Sequence, residues 1–365
     1  MANNKIYIAD RIFTGDNWVH NHAVVVENGK IDAVIPVSSL SSSQQAEHFD
    51  NCIIAPAFID LQIYGAYGKL LAVYPEADSL YKLREYCEKG GTAFCLPAVA
   101  TNTKEVFYKC IDAVKDYWGS DGEGILGLHL EGPWINPVKR GAHIESQIHP
   151  PTIKEAEELL NYGKGVIRMI TLAPEVCSRE VIELILSHNI VISAGHSNAA
   201  YDEAKTGFAN GITAVTHLYN AMSPLQHRQP GLVGAAMDDE NVMASIIPDG
   251  HHVDYAALRI AKQVMKERLF VITDAVTDTT EGYYQHKRAG DKYEADSILS
   301  GSALTMAKAV QNLVNFGQIE LGEALRMCSL YPANVLRMKE HGRIGVGCNA
   351  RMLVMNDKME MQQLL

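Results

Sequence analysis

The rhythm of hydrophobic and polar positions changes twice along the chain. Short apolar or alternating runs at Lys5–Ala9, His22–Val26 and Ile31–Ile35 predict strands, with Glu27-Asn28-Gly29-Lys30 as a turn between the last two. The tail has the same texture, predicting brief strands at Gly342–Val346 and Arg351–Met355 around Gly347. Between these ends, continuous apolar runs stand at Ile53–Ile63, Thr92–Val99, Ile125–Leu130, Ile167–Ala173, Ile190–Ala194, Ile212–Thr216, Val242–Ile247 and Leu269–Thr273. Helical spacing fills most of the gaps, at Ser79–Lys89, Lys104–Tyr117, Ile153–Tyr162, Arg179–His188, Ala199–Asn210 and Asp254–Lys266. Two more helices, Ala303–Phe316 and Leu321–Cys328, follow the last run.

Strands that are apolar throughout and alternate with helices belong to a parallel sheet buried on both faces. Eight such units predict an α/β fold, a (β/α)8 TIM-like barrel over residues 53–339. The two strand-rich ends, 1–52 and 340–365, predict a small β-sandwich domain formed by both chain ends. An open doubly wound sheet is the structural alternative. Its usual nucleotide-binding versions lack support, because no GxGxxG follows a strand and no P-loop is present.

Composition then narrows the partners. A formal charge of -11 over 365 residues argues against nucleic acid. It also means that an anionic small molecule must be held by local cations. No apolar run approaches the roughly 20 residues of a membrane span, and the start is not a basic region followed by an apolar core. Seven scattered cysteines with no CxxC pair fit free thiols in a reducing compartment, hence a cytoplasmic protein.

In a barrel of this type the chemistry sits at the C-terminal strand ends. The third run ends at Glu131, the fifth at His196, the sixth at His217 and the eighth at Asp274. Each alone also fits a bland role, as a loop acid, a packed imidazole or a turn cap; the joint placement carries the argument. One carboxylate and two imidazoles leave an open position for water on Zn²⁺ or a similar ion, which lowers the pKa of that water towards ~7. A second carboxylate, Asp274, can act as general base and then protonate a leaving amine.

The motifs that carry these residues are long and in order. Gly127-Leu128-His129-Leu130-Glu131-Gly132-Pro133-Trp134 is followed by Gly141-Ala142-His143, then Gly195-His196-Ser197-Asn198. Thr216-His217-Leu218-Tyr219-Asn220-Ala221-Met222, His227-Arg228-Gln229-Pro230-Gly231, Asp249-Gly250-His251-His252, Thr273-Asp274-Ala275 and Ser300-Gly301-Ser302 complete the set. From about Pro56 to Asn334 the chain resembles the N-acetylglucosamine-6-phosphate deacetylases of the amidohydrolase superfamily.

The resemblance implies metal ligation by Glu131, His196 and His217, with Asp274 as catalytic acid/base and His252 near the acetyl carbonyl. It implies sugar-phosphate contacts from Ala142, His143, Asn220, Ala221 and Arg228, and a sugar pocket lined by Leu299, Ser300 and Gly301. It also implies a homodimer, with Arg228 directed at the neighbouring subunit's phosphate. Backbone N–H groups of Asn220 and Ala221 are further candidate donors to that anion, and a guanidinium suits it.

Many amidohydrolases carry HxH at the first strand end. Here Gln62 and Tyr64 stand in those places, on the same strand face. Both are poor ligands, so one divalent metal ion per subunit is expected, Zn²⁺ first, with Fe²⁺ or another divalent ion as alternatives. His149, His286 and His341 stand in polar contexts that predict solvated surface, and the segment after Asp274 reads as a loop or lid. Competing functions are deacetylation of N-acetylgalactosamine 6-phosphate and a non-catalytic scaffold. Cyclic-amide hydrolysis is disfavoured, because Leu172-Ala173-Pro174 stands where a bridging lysine belongs.

Overall fold

Eight strands form one sheet in chain order: β1 Phe58–Ile63, β2 Thr92–Ala100, β3 Leu128–Glu131, β4 Ile167–Leu172, β5 Val191–Ala194, β6 Ala214–Val215, β7 Met243–Ile246 and β8 Leu269–Val271. Neighbours from β2 round to β8 pair in parallel. The ring is joined just past β8, where the Asp274 N–H donates to the Gln62 carbonyl (3.0 Å) and the Tyr64 N–H to the Ala275 carbonyl (2.9 Å). This is the expected (β/α)8 architecture. The structure is a computed structural model and describes residues 5–41, 44–295 and 298–365.

The chain divides into two units: Leu61–Tyr86 with Cys95–Leu304, and Met1–Asp60 with Cys87–Phe94 and Thr305–Leu365. The first of these holds the strand ends that matter for chemistry. Its connecting helices follow the predicted pattern closely, and Ile153–Tyr162 matches to the residue. That helix starts with a capping box, in which Thr152 Oγ1 accepts from the Glu155 N–H, and it buries Ala156, Leu159 and Leu160. A helix at Gly231–Asp238 was not foreseen; its face is buried nearly all round, so no amphipathic period marks it.

The other unit carries a seven-stranded sheet drawn from both chain ends. Met361–Leu364, Met352–Asn356, Glu47–Pro56, Lys5–Phe13, His22–Glu27 and Lys30–Pro36 lie in that order, and Trp18–His20 pairs on Lys5–Phe13. Alternate residues feed opposite faces: Tyr7, Val24 and Val26 enter one apolar cluster, Ile6, Ala23 and Val25 another. The single apolar run expected at Ile53–Ile63 is two strands, one ending at Pro56 in this sheet and the next beginning at Phe58 as β1.

Gly342–Val346 is not a strand. Gly342 and Gly347 adopt positive φ (75° and 82°), and Ile344 packs into the apolar cluster from a loop. The terminal strand is Met361–Leu364 instead. The third run also starts later than its apolar residues suggest, at Leu128, because Gly127 has φ 133°. A Cβ there would lie 2.3 Å from the Val166 carbonyl oxygen, the atom that accepts from the Leu128 N–H. Replacing Gly127 by alanine is therefore expected to lower the unfolding free energy by roughly 2–4 kcal/mol, measured by denaturant titration. A variant as stable as the parent would show that this backbone yields easily.

Candidate active site

Each rim residue follows from its strand. Glu131 is the last residue of β3; His196, His217 and Asp274 lie just beyond β5, β6 and β8. All four are buried. Three of them have left-handed backbone, with φ 47° at His196, 37° at His217 and 53° at Asp274. Such conformations cost about 1–3 kcal/mol each and persist only where surroundings impose them. Here the surroundings are hydrogen bonds: the His217 N–H donates to Ser245 Oγ (2.8 Å), and the Ser302 N–H donates to the Asp274 carbonyl (3.0 Å).

The side chains converge on one carboxylate. Glu131 Oε1 lies 3.2 Å from His196 Nε2 and 3.0 Å from His217 Nε2, and the two Nε2 atoms are 3.1 Å apart. His196 Nδ1 faces the Lys139 carbonyl at 2.9 Å, so the hydrogen sits on Nδ1. In the neutral ring, Nε2 then presents a bare lone pair to a carboxylate oxygen. A cation between them resolves this repulsion. Ligand atoms bound at about 2.1 Å around a tetrahedral ion are themselves roughly 3.4 Å apart, close to the spacing seen. The donor set fits a divalent metal. Burial works to raise the Glu131 carboxyl, yet positive charge at the His196 position and the hydrogen bonds around it outweigh burial and hold it well below the usual carboxylate range; a metal cation between the two groups would supply the same positive charge.

The HxH positions take a different part. Gln62 Nε2 donates to Glu131 Oε1 (3.1 Å) and to Asp274 Oδ1 (2.7 Å), and Tyr64 Oη donates to Glu131 Oε2. Burial, then the charges of Glu131 and Asp274, raise Tyr64 well above its ordinary value, so it is a neutral phenol. His143 Nε2 reaches the same Oε2 at 3.3 Å, while its Nδ1 meets Thr101 Oγ1 at 2.7 Å. Glu131, His143 and His196 together also have the spacing of a metal-ligating group.

These residues floor a cavity of about 340 Å³, lined by Ala142, His143, Asn220, Ala221, His252, Asp274, Leu299, Ser300 and Gly301 among others. Burial, and next the charge of Glu131, raise the Asp274 carboxyl. His252 Nδ1 lies 2.6 Å from Asp249 Oδ2, and Asp249 also accepts the His251 and His252 N–H groups. His251 points elsewhere, at Asp291 (2.7 Å). The Asn220 N–H is committed to the His217 carbonyl (2.9 Å), which leaves the Ala221 N–H as the donor of that pair without an acceptor among the described residues. Arg228 is exposed and does not line this cavity.

His286 corrects a prediction. It is buried rather than solvated, lines the cavity, and sets Nδ1 2.9 Å from Ser300 Oγ; burial pushes it down to about 4. His341 is half-buried, edge-on to Phe94, whereas His149 is exposed as expected. The segment after Asp274 leads into a three-stranded sheet, Lys287–Ala289, Lys292–Ala295 and Ile298–Ser302, and its Tyr284 is buried with Oη on the Thr101 carbonyl (2.6 Å). Alternation of Tyr284 and His286 before that first strand was the legible signal.

Inside the barrel, a file of polar groups runs across the strands. His129 Nδ1 meets the Leu61 carbonyl at 2.9 Å, so it donates, and burial keeps the ring neutral by pushing it down to about 4. Its Nε2 must then accept from Thr171 Oγ1 (2.7 Å). Thr171 in turn accepts from Thr216 (2.7 Å), and Thr216 from Ser193 (2.6 Å). The carbonyl at one end fixes the direction of every hydrogen bond in the file.

Residues 53–363 match the amidohydrolase family, and residues 8–47 match the NagA composite domain. The chain is 31% identical over 336 residues to N-acetylglucosamine-6-phosphate deacetylase of Haemophilus influenzae, covering 89% of this chain and 88% of that one. It is 29% identical over 369 residues to N-acetylgalactosamine-6-phosphate deacetylase of Escherichia coli O157:H7, covering 98% and 96%. The solved N-acetylglucosamine-6-phosphate deacetylase from Pasteurella multocida superposes with a TM-score of 0.95 at 31% identity, over 99% of this chain and 98% of that one. The chain belongs to the amidohydrolase family, and its Glu–His–His cluster suggests a divalent metal.

The polar file makes its own prediction. Thr171→Val leaves His129 Nε2 buried without a donor and should cost about 1–3 kcal/mol of stability, with Thr171→Ser recovering most of it. A valine variant as stable as the serine one would show that the file carries no net stabilisation.

Proposed function

We propose that the chain hydrolyses the acetamide of N-acetylglucosamine 6-phosphate, releasing glucosamine 6-phosphate and acetate. One observation supports this most: a protonatable carboxylate, Asp274, is tied through the Gln62 amide to the Glu131 carboxylate that anchors the ligand cluster. Amide hydrolysis needs a base for water and an acid for the departing amine, and one carboxylate with a raised pKa serves both. Glu131, His196 and His217 hold one divalent ion, Zn²⁺ in this proposal, and Gln62 directs its amide hydrogens where a second ion would need acceptors. When bound, the ion polarises the amide carbonyl and renders a water acidic enough to react near neutral pH.

The chain's own groups do the rest. Asp274 Oδ1 is held by Gln62, so its other oxygen takes the proton of the attacking water and returns it to the amine. His252, its Nδ1 held by Asp249, turns its other ring nitrogen to the carbonyl oxygen where negative charge develops. Ala142, His143, Asn220, Ala221, Leu299, Ser300 and Gly301 enclose the sugar. Arg228, exposed on its loop, serves a second copy of the chain in a cytoplasmic homodimer. The second reading is the galactosamine epimer, supported by the near-complete coverage of the relative named N-acetylgalactosamine-6-phosphate deacetylase.

Acetate release from the two epimeric sugar phosphates decides between them, and no release from either under any metal condition would sink the deacetylase reading. Chelation should abolish turnover and Zn²⁺ should restore it, with metal analysis giving one equivalent per chain. Two tightly held equivalents would overturn the one-ion assignment. Asp274→Asn should keep its metal yet lose at least about 100-fold in kcat, since the proton carrier is gone; near-parental turnover would remove Asp274 from its role.

A further inference from the structure

The cavity has almost no positive side chains of its own. Among the described residues, Lys139 is its sole lysine or arginine. Its neighbours in sequence and the other candidate cation are committed or remote. Arg140 donates to the Gly141 and His143 carbonyls (3.3 and 3.2 Å) and faces Glu145 (3.4 Å), while Arg228 lies off the cavity. Lys139 is half-buried and has no carboxylate partner among the described residues. It is placed by a short 3-10 turn, Pro137–Lys139, capped where Asn136 Oδ1 accepts from the Val138 N–H (3.0 Å).

We propose that the Lys139 ammonium is this chain's own anchor for the phosphate of the substrate. This rests on the phosphorylated amino-sugar reading above and deepens it. A half-buried lysine on the cavity wall, with no carboxylate partner among the described residues and on a chain of formal charge -11, is suited to an anion. Its backbone gives the placement a second meaning. The Lys139 carbonyl accepts from His196 Nδ1 (2.9 Å), so the residue that grips the anion also fixes which nitrogen His196 turns to the ligand cluster. The turn thus sets substrate anchor and metal ligand in one rigid register. Side-chain substitution separates the two duties, because it leaves the carbonyl in place.

Lys139→Met keeps the aliphatic stem and removes the charge. In the metal-loaded enzyme, kcat/KM for the phosphorylated substrate should fall about 10–100-fold, chiefly through KM, as expected for losing one charge-assisted contact. Turnover of unphosphorylated N-acetylglucosamine should change less than about 2-fold, metal content should not change, and Lys139→Arg should recover most of the loss. Equal losses on both substrates, or no loss on the phosphorylated one, would overturn the assignment. A measurement independent of turnover is the rise in melting temperature caused by glucose 6-phosphate over that caused by glucose. Parent enzyme showing the difference and Lys139→Met lacking it supports the anchor even if no substrate is turned over, which would then count against the deacetylase reading alone. Equal responses in parent and variant would overturn the anchor.

Discussion

A single buried carboxylate, Glu131, imposes order on the whole rim. An ionised carboxylate out of water is costly unless hydrogen bonds or opposite charge surround it. Glu131 is surrounded by groups from separate parts of the barrel: Gln62 from β1, Tyr64 just after it, His143 from the loop beyond β3, His196 beyond β5 and His217 beyond β6. None of these elements can supply its group unless the sheet has curled through its full order. Barrel closure and charge compensation are therefore one condition. The same condition explains the left-handed backbone at His196, His217 and Asp274, since the strand ends must turn sharply inward to reach a common point.

How much of this was readable depends on the kind of signal. The barrel strands are apolar on both faces, and the helices between them are amphipathic, so fold class and most helix bounds could be read from periodicity alone. The four rim residues were readable because each stands at the end of an apolar run. What escaped was decided by backbone conformation. Gly127 delays β3, Gly342 keeps Ile344 in a loop, and Gly231–Asp238 hides as an all-round buried helix. Composition cannot say that His286 faces inward, because its neighbours Gln285 and Lys287 are exposed; only its parity with Tyr284 does. The commitment of the Asn220 N–H to the His217 carbonyl is likewise a property of a turn, invisible in residue types.

Beneath the rim, the barrel interior is not purely apolar. His129, Thr171, Thr216 and Ser193 are fully buried and joined end to end. A buried hydroxyl without a partner is destabilising, so such a file is tolerated only when every member is satisfied. Its members neighbour the functional residues in sequence: His129 is two before Glu131, Thr216 one before His217. Hydrogen bonds between their side chains resist relative sliding of β3, β4, β5 and β6. The distance between Glu131 and His217 is thereby held from below as well as by the cluster itself.

Charge balance then separates the two ends of the cavity. At its floor, Glu131 and Asp274 bring two carboxylates together, and the one-ion site proposed above would balance them with a single divalent cation. Gln62 and Tyr64 turn donors, not acceptors, towards these two carboxylates. A phosphate dianion cannot share that floor without repulsion from both carboxylates. It must be met further out, by groups whose charge is not already engaged. Arg140 is engaged by Glu145 and two carbonyls, and the aspartate beside His252 engages that ring. Among the described residues of this cavity, the Ala221 N–H and Lys139 remain, beside the Arg228 proposed to come from a second copy. On the proposed reading, a chain with a large negative net charge would bind an anion by leaving one cavity lysine without a carboxylate partner while the buried carboxylates are compensated among themselves.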